Sequence, residues 1–137
     1  KAFRESGNKI VFPIHPRTLK SITEHNLKKE SPNLKIMSPV TYLEMISLEK
    51  NAKKIITDSG GVQKEAFFLK VPCITLRENT EWTETVDNGW NILVGTKKED
   101  IINAIQNFNP CNEQLNYYGD GDASIKICEI IDKVYNN

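Results

Sequence analysis

A chain of 137 residues suits one domain with an ordinary core. Lys and Arg total 18 and Asp and Glu total 18, a formal net charge of zero, which argues against holding nucleic acid or an anionic membrane by bulk charge. With 39% hydrophobic and 26% charged residues the composition is that of a soluble globular domain, with no apolar run of membrane-spanning length and no signal-peptide pattern.

The chain does not open on Met, and its start, KAFRESGNK, reads as the tail of a helix ending at Gly7. A domain that begins inside a helix is expected to be a piece of a longer chain. Residues 9–14 (KIVFPI) form a short apolar strand stopped by HPRT. Leu19, Ile22 and Leu27 mark one face of a helix over about 17–29, and 34–37 is a second strand. Tyr42, Leu43, Met45 and Ile46 line a helix over about 41–51. A third strand, 54–57, runs into DSGG, followed by a helix over 61–69 that the approach of Pro72 ends near Lys70. The fourth strand is 71–76, then a short helix after Thr80 and a strand over about 91–94. Ile101, Ile102, Ile105 and Phe108 predict the next helix, and Ala123, Ile127, Ile130, Ile131 and Val134 the last, over 123–135. Residues 109–122 form the one long irregular stretch.

Strands alternating with helices at this spacing predict right-handed βαβ units: an α/β, Rossmann-like parallel sheet with helices on both faces. In such sheets ligands lie beyond the carboxyl ends of the strands. HPRT, SPVTY, DSGG and RENTEW all fall on that edge.

Three of these loops carry candidate chemistry. Ser59 is a good N-cap, and Gly60 and Gly61 follow in the first turn, where unpaired N–H groups and the positive end of the dipole attract an anion. The same residues also suit a tight strand–helix turn. Glu65 lies four residues after Gly61 on the same helix face, placed to accept hydrogen bonds from two sugar hydroxyls; alone, it would pair with Lys64 or Lys70. Phosphate at the glycines and ribose at Glu65 together describe a nucleotide. Tyr42 and Met45 could flank a base, or be ordinary half-buried residues. His15 and Arg17 follow the first strand, where they suit a second phosphate contact or a plain turn. His25 lies in a polar helix and is expected to be exposed. The Walker, GxGxxG and HExxH patterns are absent, and no Ser/His/Asp order is defensible. The three cysteines, Cys73, Cys111 and Cys128, are odd in number and lack metal-ligand spacing. Cys73 lies in an apolar run and Cys128 in an amphipathic one, so they are expected to be buried, reduced thiols of a cytosolic protein.

ITDSGGVQKEA, then VPCITLRENTEW with ETV and the glycines that follow, then YGDGDAS, resemble in order the C-terminal domain of non-hydrolysing UDP-N-acetylglucosamine 2-epimerases. That resemblance covers nearly the whole chain and implies one half of a GT-B two-domain fold, with the N-terminal domain elsewhere. It implies that Ser59, Gly60 and Gly61 take the UDP diphosphate, Glu65 the ribose, and Met45 and Tyr42 the uracil side. Thr80, Glu81 and Trp82 belong to the UDP-sugar site. His15 lies on the cleft side, linked in some members to a second, regulatory UDP-sugar.

The family reaction is anti-elimination of UDP to a 2-acetamidoglucal, then re-addition with inversion at C2. No cofactor or metal is implied. The acids and histidine of C2 chemistry are implied to lie in the N-terminal domain and in a segment upstream of Lys1, leaving His15 as the one possible catalytic residue here, so the chain is expected to bind UDP without turnover. Partners implied are a UDP-sugar, the protein's own N-terminal domain and a second full-length copy, in the cytoplasm. The commonest family form has Arg where Trp82 follows Thr80-Glu81; the TEW form is similar to members acting on other 2-acetamido sugars, including diacetamido uronates. Arg77 is a candidate replacement for the charge. Alternatives are a GT-B glycosyltransferase, a hydrolysing epimerase, and a non-catalytic UDP-sugar-binding or structural domain. In GT-B proteins the last helix often crosses back to the N-terminal domain, so residues 123–135 are expected to expose an apolar patch.

Overall fold

The computed structural model describes residues 1–27 and 31–135. In chain order it holds α1 (Ala2–Glu5), β1 (Ile10–Pro13), α2 (Pro16–Glu24), β2 (Leu34–Met37), α3 (Tyr42–Lys50) and β3 (Ile55–Thr57). These are followed by α4 (Gly60–Phe68), β4 (Cys73–Thr75), α5 (Thr83–Asp87), β5 (Asn91–Leu93), α6 (Lys98–Asn107) and α7 (Ala123–Tyr135). The helix ends follow local chemistry. Thr41 and Glu44 close a capping box at the start of α3. Both α2 and α4 end in Schellman turns. In α4, Lys70 takes φ +57° while its N–H donates to Phe67 O and that of Val71 to Ala66 O.

The helix expected over 17–29 is shorter. It stops at Glu24 because Asn26, at φ +49°, turns the chain left-handed, and Leu27 N–H donates back to Ile22 O. The expected residues 28 and 29 lie outside the described residues. His25 is exposed, as its polar surroundings indicate.

All strand pairs are parallel, but the hydrogen-bonded ladders form two sheets, β1-β2 and β3-β4-β5, in place of the single sheet expected. β1 pairs with β2 alone, and Pro13 lies on its unpaired edge. Ile10 and Ile14 donate to the β2 side, at Asn33 O (2.7 Å) and Met37 O (3.0 Å). Alternation then turns the nitrogens of Val11 and Pro13 to the other edge, where proline has no N–H to give.

Helices cover both faces of the three-stranded sheet. Successive β4 residues point to opposite sides. Ile74 packs with Ala2 of α1 and with Ile101, Ala104 and Ile105 of α6. Cys73 packs with Ala66 of α4, Ile55 and Val71. Burial, first, pushes the Cys73 thiol up to about 12, so it stays protonated. Two cysteines correct the sequence reading: Cys128 is exposed because α7 keeps its apolar residues at the surface, and Cys111 is exposed in the irregular stretch after α6. No helix among the described residues is long and apolar enough to cross a membrane.

Candidate functional site at the start of helix α4

β3 delivers Thr57 to the carboxyl edge of its sheet, and α4 starts three residues later. Ser59 is the N-cap in extended conformation, but its hydroxyl makes no cap hydrogen bond. Its N–H instead donates to Thr57 Oγ1 at 3.0 Å. The first-turn N–H groups of α4 therefore face outward without a side-chain acceptor from Ser59.

The two glycines answer the question of turn geometry. Neither is among the residues with positive φ, so neither is needed for backbone conformation. At Gly60 a Cβ would collide with the Glu81 carboxylate, and would stand 3.3 Å from Trp82 Nε1. The RENTEW loop thus lies directly against the helix start. At Gly61 the nearest atom to a Cβ is Ser59 Oγ, 3.8 Å away, which is ordinary contact. Nothing in the protein itself requires glycine there, although glycine in a helix costs about 0.5–1 kcal/mol relative to alanine.

Sequence reasoning missed what holds this loop. Gln63 is 0% exposed on α4, and its Oε1 accepts from Thr80 Oγ1 (2.6 Å) and Asn91 Nδ2 (3.1 Å). Asn91 Nδ2 also donates to Thr85 Oγ1 (3.0 Å), and Thr75 Oγ1 donates to Asn91 Oδ1 (2.7 Å). The network then fixes Trp82 by its main chain: its N–H donates to Thr80 Oγ1 (3.1 Å) and its carbonyl accepts from Thr85 Oγ1 (2.7 Å). The available signal was Gln63 itself, a polar residue sharing the buried face of α4 with Ala66 and Phe67. Asn91→Ala would leave Thr75, Thr85 and Gln63 short of partners. We expect a loss of about 2–4 kcal/mol in urea unfolding, well beyond that of an ordinary surface substitution.

Around the loop, charges and rings are paired. Arg77 Nη1 donates to Glu81 Oε2 at 3.1 Å. Lys64 Nζ sits 4.3 Å from the Trp82 ring centroid, and Tyr118 meets that ring edge-on at 6.2 Å.

Glu65 and Tyr42 come together across α4 and α3. The Glu65 charge is the first cause of a raised Tyr42 pKa, followed by desolvation and by a hydrogen bond to the same carboxylate. Met45 is half-buried one turn after Tyr42. One further turn along α3 stands a residue the sequence did not mark. Glu49 is 2% exposed, and neither carboxylate oxygen has a partner. Burial first, and the Glu65 charge second, push its pKa up to about 7.

His15 is exposed, and its ring has a local role: Nδ1 accepts from Arg17 N–H at 3.2 Å and caps α2. A groove of about 280 Å³ beside β5 is lined by Glu78, Lys97 and Asp100 among others, but by none of the residues proposed from sequence. The start of α4 carries backbone donors with Glu81 and Trp82 against Gly60; the groove is a separate feature.

Known proteins are similar to this chain in sequence and fold. The chain is 61% identical over 134 residues to a UDP-N-acetylglucosamine 2-epimerase homolog of Methanococcus maripaludis, covering 95% of this chain and 38% of that protein. To the UDP-N-acetylglucosamine 2-epimerase of Methanocaldococcus jannaschii it is 52% identical over 126 residues, covering 89% of this chain and 34% of that one. The crystal structure of the Methanocaldococcus jannaschii UDP-GlcNAc 2-epimerase in complex with UDP-GlcNAc and UDP superposes with a TM-score of 0.83 at 48% identity, over 96% of this chain and 38% of that chain. The chain thus spans little more than a third of the proteins it matches. The family model for UDP-N-acetylglucosamine 2-epimerase fits residues 1–132, and the chain belongs to that family.

Proposed function

We propose that this chain is the nucleotide-holding domain of a UDP-sugar 2-epimerase that interconverts UDP-N-acetylglucosamine and UDP-N-acetylmannosamine, or a related 2-acetamido pair. Gly61 carries this reading: a helix residue without side chain, where a Cβ would meet only ordinary contact with Ser59 Oγ, beside unpaired N–H groups, suits a ligand anion and nothing in the fold. In the proposed site Ser59, Gly60 and Gly61 hold the diphosphate, Glu65 accepts from the ribose hydroxyls, and Tyr42 and Met45 border the uracil. Thr80 and Trp82 border the diphosphate, and Glu81, once displaced from the first turn, borders the sugar. His15, occupied as a cap, is kept for the cleft side.

In the reaction a base takes the C2 proton as the C1–O bond breaks, giving the 2-acetamidoglucal and UDP. UDP then adds back at C1 as C2 is protonated from the other face. Here α4 stabilises the negative charge that grows on the leaving UDP. The groups at C2 are assigned to a second, N-terminal domain, and the whole enzyme to a cytoplasmic homodimer. α7 fits this division: Ile127, Ile130, Ile131 and Val134 are all more than half exposed, an apolar stripe suited to packing on that second domain. The isolated chain should therefore bind a hydrophobic dye strongly, and a protein carrying both domains weakly.

Glu81 occupies the diphosphate's place in the free protein. Its carboxylate and a phosphate cannot share the first turn of α4, so it must swing away on binding. Glu81→Gln removes that competing charge and frees Arg77. UDP is expected to bind several-fold tighter by calorimetry, with the gain shrinking as salt is raised.

The activity is tested by incubating the enzyme that carries this chain with UDP-N-acetylglucosamine in D2O and following C2 by proton NMR. Deuterium at C2 with a growing manno signal is the expected result. Absence of exchange while UDP still binds would move the assignment to a modified sugar, the reading that Trp82 favours, or to a glycosyltransferase.

A further inference from the structure

We propose that Trp82 is a ligand-binding donor whose indole N–H binds a non-bridging oxygen of the nucleotide diphosphate at the first turn of α4. The proposal rests on the nucleotide reading above, which already borders the diphosphate with Trp82, and adds to it the donor atom and its acceptor. Trp82 Nε1 is shielded from solvent and has no acceptor. A buried N–H left in that state costs about 1–3 kcal/mol, and such groups are rare unless something outside the chain completes them.

The rest of the residue is satisfied and fixed. Its N–H and carbonyl are bonded to Thr80 and Thr85, whose own positions depend on the buried Gln63 and Asn91. The ring is held by Tyr118 at its edge and Lys64 on its face. Only the Nε1–H is uncommitted. It lies 3.3 Å from where a Gly60 Cβ would stand, beside the backbone donors of the helix start.

The identity of the acceptor follows from this setting. The Glu81 carboxylate rests against the same glycine, so an anionic oxygen already fits there. The Lys64 ammonium over the ring adds positive potential, which favours an anion over a neutral carbonyl or hydroxyl. The other indole in the chain provides the contrast: Trp90 Nε1 donates to Asn112 O at 3.1 Å and is already spent.

The test compares the full chain with Trp82→Phe, which keeps an aromatic ring and removes the N–H. Calorimetry is run with UDP, UMP and uridine. The expected result is a loss of about tenfold or more for UDP, a smaller loss for UMP and no change for uridine. In the unmodified chain, the Trp82 indole N–H resonance should move on adding UDP and stay still with uridine, while that of Trp90 stays still throughout. This second readout holds even if the variant is poorly folded. Equal UDP affinity in a folded variant would overturn the proposal. So would a silent indole resonance while the Gly60 and Gly61 amides respond. If neither those amides nor the indole respond to UDP, the nucleotide reading itself fails and the proposal with it.

Discussion

Gly61→Ala should make the protein more stable and its nucleotide site worse. A Cβ at position 61 meets only Ser59 Oγ, at 3.8 Å, so alanine enters without strain. It should gain the helix preference that glycine forfeits, about 0.5–1 kcal/mol in urea unfolding. The same methyl projects into the space where a phosphate would approach the first-turn N–H groups. UDP affinity is expected to fall on the order of 100-fold, about 2–3 kcal/mol. The opposite signs separate function from folding. A stabilised variant that binds UDP as well as the parent would remove the main support for a diphosphate at this helix.

Glu49→Met should stabilise the protein strongly at high pH and much less at low pH. Glu49 is 2% exposed with neither oxygen partnered, and its pKa is pushed from 4.5 up to about 7 by burial and by Glu65. The folded pKa lies above the unfolded one, so the native state keeps a proton that the unfolded chain gives up. The favourable neutral form is fully present below about pH 4.5 and is lost as pH rises through about 7. By pH 8 the ionised group costs up to about 3 kcal/mol, which an apolar side chain of similar length removes. Urea midpoints of both proteins at pH 5 and pH 8 check this. Equal gains at the two pH values would mean that Glu49 finds a partner or stays solvated.

Elements dictated by local periodicity were legible in the sequence. The last helix, 123–135, and the second strand, 34–37, fall on their expected bounds. Helices on both faces of parallel strands followed from the alternation. What the sequence concealed depended on long-range geometry or on single backbone angles. The separation of the β1-β2 ladder from β3-β4-β5 is a matter of long-range strand pairing, which the local pattern does not encode. The early stop of α2 turns on Asn26 entering the left-handed region. For the candidate site, DSGG and Glu65 could be singled out because two glycines open a helix directly after a strand and an acid follows one turn on, although each alone also suits a structural reading. Gln63, Thr75, Thr85 and Asn91 could not, because a polar network spread over two strands and two helices has no short sequence signature. Glu49 resembled any acid on an amphipathic helix until its burial was seen.

The central claim is that UDP sits on the first turn of α4, with its ribose on Glu65. The most direct measurement is a backbone amide NMR titration of the chain with UDP. If the claim holds, the Gly60 and Gly61 amides move first and furthest, with Glu65 and Tyr42 following and the groove residues Glu78, Lys97 and Asp100 unaffected. Shifts centred on that groove, or unmoved Gly60 and Gly61 amides at saturating UDP, would contradict it.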